Sequence, residues 1–322
     1  PDPTTMKLYI DDEPFRMDHD RVKSSHRTLD WRAGIVTREV EFETADGRRI
    51  ALRTRRFASL EHRHVFVLDY QVEMLDAPAT VTIASELALP RARRDTAGEH
   101  DPRRAKTQEG VLQPISHYAG NDRGILTMRT RSSGMSLGCG VDHVFDEQVP
   151  IERRIEADED GISSVSIVDA QPGVPVRVQK FAAYHTSHRT SSQELAFRVE
   201  QTLNRAIHVG IERLGQLQEE RMRRFWDIAD VKIEGCEDAQ SMVRFNLFQL
   251  HQATARADGR GFPAKGLTGT GYEGQYFWDA DIYVMPFLSY TTPQLARNFI
   301  GFRAGMLDKA RDRAREVGHT GA

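Results

Sequence analysis

The chain has 322 residues, enough for two domains with cores of their own. Hydrophobic residues make up 39% and charged residues 28%, which excludes a disordered or fibrous chain. A formal net charge of −3 supplies no global field for nucleic acid or an anionic membrane surface, so neither is expected as a partner.

The first half reads as β. In the run Val36–Thr44, the residues Val36, Val40 and Phe42 share one face, with Arg38 as the exception. Ala45-Asp46-Gly47 follows, and Asp-Gly is a strong hairpin signal because glycine accepts positive φ. Ile50, Leu52 and Thr54 then alternate with Ala51, Arg53 and Arg55. Further strand-like runs are Val65–Leu75, Val81–Leu87, Ile125–Arg131, Met135–Cys139, Gly161–Val168 and Val176–Tyr184. Many short β runs between turn residues predict an antiparallel sandwich rather than a βαβ fold. The polar, Arg-rich stretch Pro90–Gly110 interrupts them. It reads as a solvated loop, because its acidic residues argue against a phosphate-binding patch.

At Ser191 the period changes. Ser191 and Glu194 fit a capping box. Leu195, Val199, Leu203, Ile207, Ile211, Leu214 and Leu217 then recur at helical spacing. This long helix runs to about Trp226, with Gly210 and Gly215 as points of bending or division. A second helix is expected over Asp238–Ala257 and a third over about Phe277–Tyr290. A fourth starts at Thr292-Pro293, carries Leu295, Phe299, Phe302 and Met306, and stops near Gly318.

The connection between the second and third helices contains Gly269-Thr270-Gly271-Tyr272-Glu273-Gly274, a match to GxGxxG. A dinucleotide site requires a buried strand before those glycines. The preceding Arg260–Lys265 is not one, and the flanking elements are helical, so that reading is rejected. What remains is a glycine-rich loop delivering Tyr272, Glu273, Trp278 and Asp279 near a helix start. A sugar site wants an aromatic platform beside a carboxylate that accepts hydroxyl hydrogen bonds. The alternative is that Trp278 is core and Asp279 a helix cap.

The remaining candidates are weaker. His62 and His64 form an HxH pair without a third ligand, and His185 and His188 lack a partner motif, so no metal is expected. Trp226-Asp227 reads as packing, and no GxSxG, P-loop or HExxH occurs. Cys139 and Cys236 are too far apart in sequence for a disulfide framework or a CxxC site, and are compatible with a reducing compartment. No apolar run approaches the roughly 20 residues of a membrane span.

The stretch from Ala264 to Arg303, AKGLTGTGYEGQYFWDADIYVMPFLSYTTPQLARNFIGFR, resembles glycoside hydrolase family 65, the group that contains maltose, trehalose and kojibiose phosphorylases. Arg244–Leu250 and Leu29–Gly34 are similar to the family as well, and the likeness runs from about Leu8 to the end. It implies a multidomain β-then-α fold. Residues 1–187 would form an antiparallel β-sandwich, 188–230 a helical linker, and 231–322 the first helices of an (α/α)6 barrel. Trp278 and Asp279 would line the subsite for the transferred glucosyl unit, with Arg244, Lys265, Tyr272 and Glu273 as further candidates for the same wall.

The implied reaction is inverting phosphorolysis of an α-glucosyl disaccharide to β-glucose 1-phosphate. Inorganic phosphate is the co-substrate, and no cofactor is needed. An inverting hydrolase needs a second carboxylate to activate water; phosphate is already an anion. The resemblance also implies a cytoplasmic enzyme and a possible homodimer. The chain is expected to be a piece of something longer, with missing N-terminal strands and a general acid beyond Ala322, so neither Glu273 nor Asp281 is assigned that role. Two alternatives stay open: an α-glucoside (trehalose-type) hydrolase of the same family, and a non-catalytic carbohydrate-binding or assembly module.

Overall fold

A computed structural model describes residues 1–17, 21–89, 111–146, 150–254, 261–266, 272 and 275–319. The stretch Pro90–Gly110 lies outside the described residues, as do the last residues expected in the second helix and all of the GxGxxG except Tyr272. The strands, in chain order, are β1 Met6–Ile10, β2 Glu13–Pro14, β3 Val22–Asp30, β4 Ile35–Glu43, β5 Arg49–Ala58, β6 Val65–Met74 and β7 Ala79–Ala88. They continue with β8 Leu112–Gly120, β9 Arg123–Thr130, β10 Ser136–Phe145, β11 Glu152–Ala157, β12 Gly161–Ala170 and β13 Val176–Ser187. Then come the helices α1 Ser192–Val209, α2 Ile211–Ala229, α3 Glu237–Thr254, α4 Met285–Thr291, α5 Pro293–Ala304 and α6 Leu307–Glu316. The described residues fall into two compact units that divide within α2, between Glu220 and Arg221.

The first unit holds two antiparallel sheets, as expected. One has five strands in the order β11-β12-β7-β1-β2, the other eight in the order β3-β4-β5-β6-β13-β10-β9-β8. The β4–β5 hairpin turns at Gly47, whose φ is +88°, where the Asp-Gly signal placed it. The strands absent from the sequence reading include β3, β8 and β11, which are sheet edges. Edge strands are exposed and polar, so they carry no hydrophobic alternation. Pro114, which cannot donate to a ladder, sits in edge strand β8 next to a register shift.

The eight-stranded sheet is buried on both faces. Its inner face meets the smaller sheet through Val40, Phe42, Ile50, Leu52, Val72 and Val178 against Leu8, Val81, Ile83 and Val168. Its outer face buries Phe57, Val67, Phe181 and Ala183 against Val199, Leu203 and Ala206 of α1 and Ile211 and Leu214 of α2. The helix comes close because β10 reads Gly-Cys-Gly at the crossing. A Cβ on Gly140 would lie 2.8 Å from a Val199 methyl and 2.8 Å from the Gly124 carbonyl oxygen.

The expected single long helix is two. Gly210, at φ +78°, ends α1 and starts α2, whereas Gly215 stays inside α2. Half of the capping box forms: the Ser191 hydroxyl accepts from the Glu194 N–H at 3.2 Å, while the Glu194 carboxylate takes Arg198 at 2.9 Å. The expected fourth helix is also two, α5 and α6, broken at Gly305. Pro293 opens α5 as predicted, but the Thr292 hydroxyl caps nothing. His62 and His64 lie in the β5–β6 turn rather than on a strand. His64 stacks on His185 at 3.9 Å, and the His185 ring meets the Thr202 hydroxyl at 2.9 Å. No group of metal-ligating side chains is found among the described residues, nor any helix long and apolar enough to cross a membrane.

Two buried polar bridges join the sheets. Lys180 of β13, fully buried, donates to the Glu86 carbonyl of β7 at 2.7 Å. Its cross-strand partner His143 meets the Ser85 hydroxyl at 2.8 Å. Burial pushes the Lys180 ammonium down to about 7 and the His143 imidazole down to about 4.

Two measurements check this frame. Gly140→Ala is expected to lower stability by about 1–3 kcal/mol, because the backbone neighbour cannot yield; urea denaturation reads it directly. For Lys180, the unfolded chain keeps the proton up to about pH 10.4 while the folded chain sheds it above about 7. The unfolded state therefore binds more protons between those values, and stability rises with pH. A melting series from pH 7 to 9 should show that rise, and Lys180→Met should flatten it.

Candidate functional site

The helical unit builds its own small core from Phe262, Leu288, Leu295, Ala296 and Phe299. Phe262 stacks on Phe299 at 4.9 Å and so fixes where the Gly-rich connection begins. Gly261 is required there: a Cβ would lie 2.6 Å from the Phe302 ring and 2.9 Å from Tyr276. The turn closes by a 2.8 Å bond from the Gly266 N–H to the Pro263 carbonyl, and Lys265 sits half-buried within it.

Further along, Tyr272 adopts φ +58° and packs edge-on against Phe277 at 5.3 Å. A positive φ on a bulky residue is strained and marks a position held by its surroundings. A short π-helical segment, Ala280–Val284, then leads into α4. Such segments recur at functional sites because they re-aim side chains that a regular helix would stack. The expected third helix thus begins as a π turn rather than as an α-helix at Phe277.

One cation organises this segment. The Arg303 guanidinium, from α5, binds both oxygens of Asp281 at 2.6 and 3.3 Å. It donates to the Phe277 carbonyl at 3.1 Å. It also lies 5.7 Å from the Trp278 ring centroid and 5.2 Å from that of Phe299. Arg303 therefore ties the loop to the helical core through charge, backbone and aromatic face together.

Trp278 stays 78% exposed, so it is not core. Asp279, the next residue, makes no capping hydrogen bond, which removes the structural alternative for it. Its carboxylate is exposed and has no hydrogen-bond partner among the described residues. The two nearby carboxylates thus differ: both oxygens of Asp281 are engaged by arginine, and those of Asp279 have no hydrogen-bond partner among the described residues. A broad indole face beside an open carboxylate can stack on the C–H face of a pyranose and accept from its hydroxyls.

The other candidates are placed less favourably. Arg244, on α3, is locked bidentate to Asp230 at 2.8 and 2.7 Å, which holds its guanidinium above its ordinary pKa. Its fork is occupied by that carboxylate rather than turned to the Trp278 loop. Glu273 lies outside the described residues. The sequence reading passed over Arg303 and the exposed rings of Tyr276 and Tyr283, 44% and 74% exposed. Arg303 follows Phe299 by one helical turn, but that spacing alone does not separate a clamp from a surface arginine.

The helical unit thus presents an exposed indole and a neighbouring exposed carboxylate, next in sequence to a β-sandwich. Residues 1–225 match the glycosyl hydrolase family 65 N-terminal domain, and residues 244–322 match the family's central catalytic domain. The chain belongs to glycosyl hydrolase family 65. It is 36% identical over 317 residues to an uncharacterized glycosyl hydrolase of Mycobacterium leprae, covering 98% of this chain and 40% of that protein. It is 33% identical over 322 residues to an alpha,alpha-trehalose phosphorylase of Thermoanaerobacter brockii, covering 100% of this chain and 41% of that protein. A solved structure provisionally described as a kojibiose phosphorylase from human microbiome shares the fold, with a TM-score of 0.84 at 18% identity. That match covers 97% of this chain and 39% of the other. The chain spans about two fifths of the length of the curated relatives it matches.

Arg303→Ala is expected to destabilise the helical unit by about 1–3 kcal/mol, since a half-buried carboxylate and a carbonyl lose their charged donor. Limited proteolysis should then cut the 275–284 segment faster, while Asp279→Asn should leave the cleavage rate unchanged.

Proposed function

We propose that this chain carries the sandwich and one wall of the glucosyl subsite of an inverting disaccharide phosphorylase. The observation that carries the reading is the Trp278–Asp279 pair: an exposed indole held by Arg303 beside a carboxylate with no partner among the described residues, inside the segment that matches the family's catalytic domain. Trp278 supplies the platform and Asp279 accepts sugar hydroxyls. Tyr272 and Lys265 complete the wall, Glu273 is kept from the sequence reading, and Arg244 positions α3 against Asp230. The relatives named as trehalose, kojibiose and nigerose phosphorylases support the substrate class, an α-linked glucosyl disaccharide with inorganic phosphate.

In this reading a carboxylic acid elsewhere in the full enzyme protonates the glycosidic oxygen. Phosphate attacks the anomeric carbon from the opposite face, giving β-glucose 1-phosphate. No described carboxylate is assigned as that acid. The two free thiols, buried Cys139 and exposed Cys236, are compatible with a reducing, cytoplasmic setting. A second reading is α-glucoside hydrolysis within the same family; the 36% identical relative, named only as an uncharacterized glycosyl hydrolase, does not separate the two.

The test is product analysis with the whole protein. Trehalose and kojibiose should release glucose 1-phosphate only when phosphate is supplied; free glucose without phosphate would establish the hydrolase instead. Asp279→Asn should lower kcat/KM by about 10–100-fold, the effect of removing a charge-assisted hydrogen bond. Unchanged kinetics would remove Asp279 from the subsite. Calorimetry of this chain with glucose, maltose and trehalose tests the binding-module alternative.

A further inference from the structure

Strand alternation places Val36, Arg38, Val40 and Phe42 on the inner face of β4. Val40 and Phe42 enter the sandwich core. Arg38, the exception in the sequence pattern, stands directly opposite Arg27 of β3. Arg56 of β5 is in register with Val36, so it occupies the same face one diagonal step from Arg38. All three arginines are among the residues lining a cavity of about 170 Å³. Leu52, Leu68 and Tyr70, on the same sheet face, form its apolar floor, and Met6 and Phe15 line it as well.

This arrangement is unfavourable as it stands. Like charges opposed across a ladder destabilise a sheet. Among the described residues, none of Arg27, Arg38 and Arg56 has an ion pair or hydrogen bond. Their neighbours Arg21, Arg48, Arg49, Arg53 and Arg55 all pair with carboxylates. Glu39 and Glu41 alternate with Arg38 and so point to the opposite face. Burial, then Arg27 and Arg38, lower the Arg56 pKa, and Asp2 acts the other way.

A dianionic oxyanion would convert the repulsion into charge-assisted, bidentate hydrogen bonds. The cavity is several times the roughly 30 Å³ that one water occupies in the liquid, so it takes more than a bare ion. Its floor suits the C–H surface of an organic body. We propose that Arg27, Arg38 and Arg56 form a binding site for a phosphate monoester of a small organic molecule, separate from the Trp278 wall and set in the sandwich itself.

Thermal melting tests this with glucose 1-phosphate, inorganic phosphate, and sodium chloride at matched ionic strength. Glucose 1-phosphate should raise the Tm by about 2–4 °C beyond sodium chloride when in excess of its Kd, and inorganic phosphate by less. Arg38→Thr should raise the Tm without ligand, by relieving the repulsion, and remove the response. Arg56→Lys keeps the charge but loses the fork, and should weaken binding about tenfold. A response no larger than that of sodium chloride overturns the proposal, as does one that survives in both variants. Equal responses to the two phosphate compounds overturn the organic part.

Discussion

The eight-stranded sheet has to hide two faces, and most of the first unit follows from that. A smaller sheet covers the inner face and α1 the outer one. Covering the outer face with a helix requires a close approach, which the Gly-Cys-Gly of β10 permits. Covering the inner face traps Lys180 and His143 between the sheets, where each is satisfied by an atom of the opposite sheet. An unpaired polar group at that depth would cost a few kcal/mol, so these bridges also fix the register of the two sheets. The arginines that have no partner among the described residues lie where Arg27 and Arg38 continue the inner face beyond the apolar part of β4.

The helical unit has a comparable anchor of its own. Arg303 joins a carboxylate, a carbonyl and two aromatic rings, and the result is an indole that is held and still exposed. Under the proposed function, that combination suits a sugar platform, because a loose ring loses in ordering what it gains in contact. The same ion pair separates the roles of neighbouring carboxylates. Asp281 is engaged by Arg303, and Asp279 makes no capping hydrogen bond.

Much of the fold was legible. Hydrophobic alternation located β4 to β7, β9, β10, β12 and β13, and the change of period at Ser191 located the β-to-α junction to one residue. The strands that escaped were β1, β2 and the exposed β3, β8 and β11. A mostly exposed strand, or one of only two residues, has no hydrophobic pattern to read, and β1 alternates Met6, Leu8 and Ile10 over only five residues. The division at Gly210 was among the points the sequence offered, but the break at Gly305 was missed, because an apolar stripe can continue in phase across a break that only backbone torsions reveal. For the site, Trp278 and Asp279 were visible as residue types in a family-like segment. Their freedom was not visible, because it depends on what Arg303 and Asp281 do to each other.

The sequence by itself determined the order of layers, the antiparallel pairing, and the family-like segment that carries the aromatic–carboxylate pair. Periodicity, turn chemistry and local motif are properties of neighbouring residues, so they survive in one dimension. Tertiary structure decided which charges are partnered. Arg38 read as a lapse in an apolar face until β3 and β5 brought Arg27 and Arg56 beside it. Arg303 read as a helix residue until its turn faced Asp281. Charge pairing acts through space between residues far apart in the chain, and only the folded backbone sets those distances.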